Sequence, residues 1–87
     1  MKVIELKDVQ REEGQIFYRR KYTCNAVLEL PTNDETVPIQ FIIDMDPLGR
    51  KTLEFSFPQP ISYPLMPVKK ALTEYILAED TEGRLPC

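Results

Sequence analysis

Residues 36–57 read TVPIQFIIDMDPLGRKTLEFSF, and the pairing inside this stretch decides the fold. Val37, Ile39, Phe41, Ile43 and Met45 share one parity; after the turn, Leu53, Phe55 and Phe57 alternate with Thr52, Glu54 and Ser56. Period-two alternation of this kind marks half-buried strands. A two-residue loop, Pro47-Leu48, would set Met45 against Arg50 and apolar against polar down the hairpin, a one-residue error that turns a whole face over. A three-residue loop, Pro47-Leu48-Gly49, instead pairs Asp46 with Arg50, Ile43 with Leu53, Phe41 with Phe55 and Ile39 with Phe57. Such a loop is a type I turn followed by a left-handed residue at a bulge, with proline suited to its first position and glycine to its last. The sequence therefore predicts strands at 36–46 and 50–57, with Gly49 at positive φ.

Upstream, residues 15–30 read QIFYRRKYTCNAVLEL. Ile16, Tyr18, Tyr22, Cys24, Ala26, Leu28 and Leu30 form an even row that only Arg20 interrupts. This is a strand, but one long enough against a usual ~5–6 residues to predict a bend or bulge near Arg19–Lys21. Residues 3–9, VIELKDV, predict a first strand with Ile4 and Leu6 on one face, and QREEG at 10–14 a turn. The PTNDE loop at 31–35 leads into the hairpin. Setting Leu28 opposite Ile39 makes Lys21 face Asp46 and Thr23 face Asp44.

Downstream, PQPISYPLMP at 58–67 holds four prolines, which rules out a helix or central strand and predicts an extended segment. Pro67 suits the first turn of a helix over 68–79, VKKALTEYILAE, whose apolar face is Val68, Ala71, Leu72, Tyr75 and Ile76. Gly83 and Pro86 end it, and the tail 80–87 is expected to be loose. The fold class is thus α+β in one domain: an antiparallel four-stranded meander followed by one C-terminal helix packed on one face, β-β-β-β-α. A twelve-residue helix is about 18 Å long and 10 Å across. Four strands are about 19 Å wide and 25 Å long, so one helix covers only part of the face. The proline segment, bending of the second strand, or a second copy of the chain must cover the rest, and a homodimer is expected.

The 87 residues are 43% hydrophobic and 29% charged, an ordinary globular composition. A net charge of −3 disfavours the counterion-release grip of nucleic-acid binders, which are usually basic. Cys24 and Cys87 are the two cysteines, neither in a CxxC pair, and histidine is absent. That is no disulfide framework, and it fits a reducing compartment. The start, MKVIELKDVQREEG, breaks its apolar residues with charges and does not read as a signal peptide. No run reaches the roughly 18 apolar residues of a membrane span. A cytoplasmic chain with no membrane association is the expectation.

Catalytic chemistry finds little to work with. Cys24 sits in a buried row without a histidine base, and Asp44, Asp46 and Glu54 supply too few oxygens for a hard cation while Lys21 and Arg50 compete for them. No cofactor or metal is expected, and the chain is not expected to be an enzyme. The sheet face turned away from the helix is polar except for Phe17, Val27 and Ile42, which mark a partner surface. The YRRKY run at 18–22 supplies Arg19, Arg20 and Lys21, to which Arg50 and Lys51 add across the hairpin. Cations interleaved with rings suit phosphate contact and base stacking. The β-β-β-β-α order is similar to that of the small single-strand-binding transcription cofactors of the PC4 kind. That resemblance implies single-stranded nucleic-acid binding through those five cations. The first expectation is a non-enzymatic, homodimeric interaction module that binds a protein partner through its sheet; the alternative is the nucleic-acid binder.

Overall fold

The computed structural model describes residues 1–12, 18–61 and 63–85. The elements run β1 (Lys2–Glu12), β2 (Arg19–Glu29), β3 (Asp34–Met45), β4 (Lys51–Ser56) and α1 (Leu65–Thr81). The strands form one antiparallel sheet in the order β1-β2-β3-β4. Tyr22, Cys24, Ala26 and Leu28 of β2 and Val37, Ile39, Phe41 and Ile43 of β3 make the buried inner face, and Val68, Leu72 and Ile76 of α1 complete the core.

The β3–β4 hairpin has the predicted register, with Ile43 opposite Leu53 and Phe41 opposite Phe55. Gly49 takes φ 84°, its N–H donates to the Asp46 carbonyl at 2.9 Å, and the Asp46 N–H donates to Arg50 O at 2.8 Å. The Asp46 carboxylate ties the loop together: Oδ1 accepts from the N–H of Leu48 at 2.9 Å and of Arg50 at 2.8 Å. Space is not the constraint at Gly49, since nothing lies within 4 Å of where a Cβ would stand. The backbone angle is. Gly49→Val is expected to cost about 2 kcal/mol, measured by urea unfolding, because a β-branched residue resists φ near +80°.

The β2–β3 pairing differs from expectation by four residues. Leu28 lies opposite Glu35, and Ile39 opposite Cys24. The connection is tighter than the PTNDE reading: Leu30 N–H donates to Asn33 O at 2.9 Å, and Glu29 already pairs with Asp34. A slip of four keeps every side chain on its face, but it changes the charge partners. Arg19 now faces Asp44, Lys21 faces Ile42 and Thr23 faces Gln40.

The expected bend near Arg19–Lys21 is not there: β2 pairs with β3 without a break from Arg19 to Glu29, and residues 15–17 lie outside the described ones. The irregularity sits in β1, whose register with β2 shifts between Val3 and Glu5 and again between Lys7 and Gln10, with Asp8 at φ 54°. Each shift inserts one β1 residue and resets the parity. Val3 is therefore buried, Leu6 and Val9 pack on the core, and Ile4, expected beside Leu6, is exposed.

Helix α1 starts three residues before the predicted position and ends two after it. Pro64 is its N-cap, and Pro67 sits at the third helical position, where the missing N–H would have had no helical partner. At the other end Gly83, φ 72°, donates its N–H to Asp80 O at 3.1 Å and Arg84 N–H donates to Glu79 O at 2.9 Å, which is the Schellman pattern. The chain then turns back and buries Leu85 in the core. The tail is thus pinned as far as Leu85; Pro86 and Cys87 lie outside the described residues. A 17-residue helix is about 26 Å long, and Ile61 and Tyr63 of the proline segment add to the inner layer. The rows of β2 and β3 are buried within one chain, and the apolar row of β4, Leu53, Phe55 and Phe57, is half-buried.

Candidate functional site

The five cations expected to form one basic patch point in different directions. Arg20 is on the inner row of β2 and Lys51 on the inner row of β4. Both reach the carboxylate of Asp80, in the last turn of α1. Arg20 Nη1 and Nη2 donate to Asp80 Oδ1 and Oδ2, each at 3.0 Å, and Lys51 Nζ donates to Oδ2. Arg20 Nη1 also lies 3.3 Å from the Tyr22 hydroxyl. The Asp80 side chain is only 8% exposed. The Arg20 guanidinium holds its carboxyl below the usual carboxylate range, against the opposing effect of burial, with Lys51 helping. The same pair raises the affinity of Arg20 for its proton. A forked arginine–carboxylate pair is both strong and geometrically specific. It neutralises a carboxylate that would otherwise sit at the negative end of the helix dipole.

Sequence reasoning missed Asp80, although the signal was present. Val68, Leu72 and Ile76 recur at intervals of four, and one more step reaches Asp80. The inner row of β2 is broken by Arg20, that of β4 by Lys51, and the helix stripe by Asp80; the three breaks meet at one point.

The other cations lie elsewhere. Arg19 and Lys21 project from the outer face of β2. Arg19 Nε is 3.6 Å from Asp44 and its Nη2 3.4 Å from Glu54, while Lys21 Nζ is 3.6 Å from Glu12 on β1 rather than beside Asp46. Arg50 closes on Asp46 at 2.8 Å. All five thus have a carboxylate within 4 Å. A cleft of about 720 Å³ opens at this end of the sheet between Tyr18, Arg20, Ile43, Met45, Pro47 and Thr52. The charged residues of its wall, Arg19, Arg20, Asp44 and Asp46, are each engaged in one of these pairs.

The outer face has a different character at its centre. Across β2 and β3 the facing pairs are Thr23 with Gln40, Asn25 with Pro38 and Val27 with Thr36, with Ile42 one step beyond. None is charged. Gln10, Thr23, Asn25, Pro38 and Gln40 rim a shallow depression of about 270 Å³. Charges bound this centre: Glu5 and Lys7 pair alongside it on β1 at 3.6 Å, Lys21 and Glu12 lie at one end, and Glu54 lies opposite Ile42. Val27 and Ile42 both lie on this face, both half-buried. Lys21, which faces Ile42, and Val27 are six residues apart along β2, so the two apolar side chains stand roughly 20 Å from one another and form no single patch. Phe17, the third of the expected partner residues, lies outside the described residues.

Burial pushes the Cys24 thiol up to about 11, so it stays protonated at neutral pH. Among the described residues no group of three His, Cys, Asp or Glu side chains is placed to hold a metal ion, and no helix is long and apolar enough to cross a membrane. No solved structure and no curated protein matches the chain. One protein family, designated by a gene locus rather than by an activity, matches residues 1–81, and the chain belongs to that family.

Proposed function

We propose that this member of the locus-designated family is a non-enzymatic, homodimeric interaction module of the cytoplasm whose outer sheet face docks a protein partner. The observation that supports this reading is the uncharged centre on β2 and β3, Thr23, Asn25, Val27, Thr36, Pro38, Gln40 and Ile42, enclosed by charged residues in a chain that is 29% charged. Depletion of charge at the centre with a polar rim is the anatomy of a protein–protein interface. The size is also suitable. Strands of 11 and 12 residues in a four-stranded sheet present on the order of 700 Å², against about 800 Å² per partner in a standard interface.

The nucleic-acid reading retains the element order of the PC4-like cofactors. Against it, each of its five cations would have to leave a carboxylate before it could meet a phosphate. The test is affinity enrichment with the wild-type chain and with Thr23→Glu/Gln40→Glu, beside a gel shift with single-stranded DNA and RNA at physiological salt. A partner held by the wild type and lost by a variant of unchanged circular dichroism is expected, with no gel shift. A partner set indifferent to the two substitutions would sink the outer-face reading. A micromolar shift abolished by Arg19→Ala/Lys21→Ala would select nucleic acid instead.

A further inference from the structure

The two edges of the sheet are built differently. β1 has two register shifts, a left-handed Asp8, and Lys7, Arg11 and Glu12 along its exposed length. Bulges and charges of this kind turn away an incoming strand. β4 has neither a bulge nor a proline: its register with β3 runs unbroken from Lys51 to Ser56. Because Asp46 and Arg50 are a hydrogen-bonded pair, Thr52, Glu54 and Ser56 direct their N–H and C=O toward β3. Lys51, Leu53 and Phe55 direct theirs to the open side. The inward side chains of this strand, with Phe57 stacked on Phe55 at 6.1 Å, are the row left half-buried by the core.

We propose that β4 pairs antiparallel with β4 of a second copy, joining two four-stranded sheets into one of eight strands with the two-fold axis at Phe55. The proposal rests on the homodimeric part of the reading above and assigns it a surface and a register. A two-fold axis normal to the sheet keeps like faces together, so only residues of equal parity can meet. With Leu53 on the axis, Phe55 would face the partner's Lys51, whose counterpart here is committed to Asp80. With Glu54 on the axis, two carboxylates would meet at the close, non-hydrogen-bonded spacing, which is destabilising. With Phe55 on the axis, Phe55 meets the partner's Phe55, Leu53 meets the partner's Phe57, and Glu54 meets the partner's Ser56. This register alone sets each of these apolar side chains against another and keeps the like charges apart.

Ser56 is exposed on the outer side of the strand, so it can carry a charge without entering the core. Sedimentation equilibrium on the wild-type chain, Ser56→Lys and Ser56→Glu reads the register directly. Lysine there faces the partner's Glu54 twice per dimer and is expected to tighten dimerisation about fivefold; glutamate is expected to weaken it about fivefold. Reversed signs would put Ser56 against the partner's Arg50 and overturn the register, as would indifference to both changes. A dimer indifferent to Ser56 but split by Val27→Glu would move self-association to the outer face. A 10.1 kDa monomer at high micromolar concentration would overturn the pairing while leaving the docking of a different protein on the outer face open to its own test.

Discussion

Asp80→Asn is expected to destabilise the fold by about 3 kcal/mol, the cost of leaving half-buried cations without their counter-charge. For a domain of this size that is a fall of roughly 12–24 °C in Tm. The effect has a defined pH dependence. The Asp80 carboxyl is held below its unfolded value, chiefly by Arg20. Its stabilisation is therefore fully present above the ordinary carboxylate value of about 3.9 and is lost as pH falls through the lower native value. Urea titrations should show a constant gap between wild type and variant from neutral pH down to mildly acidic conditions, closing only in strong acid. A gap that closed already near neutral pH would contradict the assignment. Replacing the whole cluster, Arg20→Met/Lys51→Met/Asp80→Leu, should return the chain to within about 1 kcal/mol of wild type, since apolar substitutes for a complete ionic cluster are often neutral or better.

The largest single-residue effect is expected at Phe41. It is fully buried, its ring stacks on Tyr22 at 5.0 Å and 18°, and it meets Phe55 at 6.4 Å. It lies midway along β3, where the inner rows of three strands converge. Phe41→Ala should cost about 4 kcal/mol, the transfer term plus the cavity left behind. Phe41→Leu, which keeps most of the volume, should cost about 1 kcal/mol. Equilibrium unfolding in urea separates the two. A loss below about 1 kcal/mol for the alanine variant would mean that the neighbouring rings collapse into the space and that the row is less rigid than its packing implies.

The hairpin was legible in the sequence because two independent constraints agree there: the turn chemistry of Pro47 and Gly49, and the parity of eight flanking side chains. The β2–β3 register was not, because slips of two or four residues preserve every face, and only the Leu30–Asn33 hydrogen bond selects among them. β1 misleads for the opposite reason. Its two inserted residues space Val3, Leu6 and Val9 three apart, a period that belongs to neither a regular strand nor its alternation. The basic cluster is visible as a run of residues, yet a run along a strand divides between two faces, so Arg20 and its neighbours Arg19 and Lys21 could never act together. Arg20 stands out as a break in an apolar row; its partner is hidden because a helix read over 68–79 ends one residue short of Asp80. What covers the outer face is the kind of information a single chain does not carry in its periodicity.

The element that closes the core is also the last to be made. During synthesis at about 5–20 residues per second, the 17 residues of α1 take on the order of one to three seconds to appear. Hairpins pair in roughly 1–10 μs. The sheet can therefore assemble long before its cover arrives, and Tyr22, Ile39, Phe41 and Ile43 spend that interval facing water. A nascent chain of this design presents a sticky apolar surface beside an unguarded strand edge until the helix lands. Its yield in the cell thus depends on what shields the surface in those seconds as well as on the stability of the finished fold.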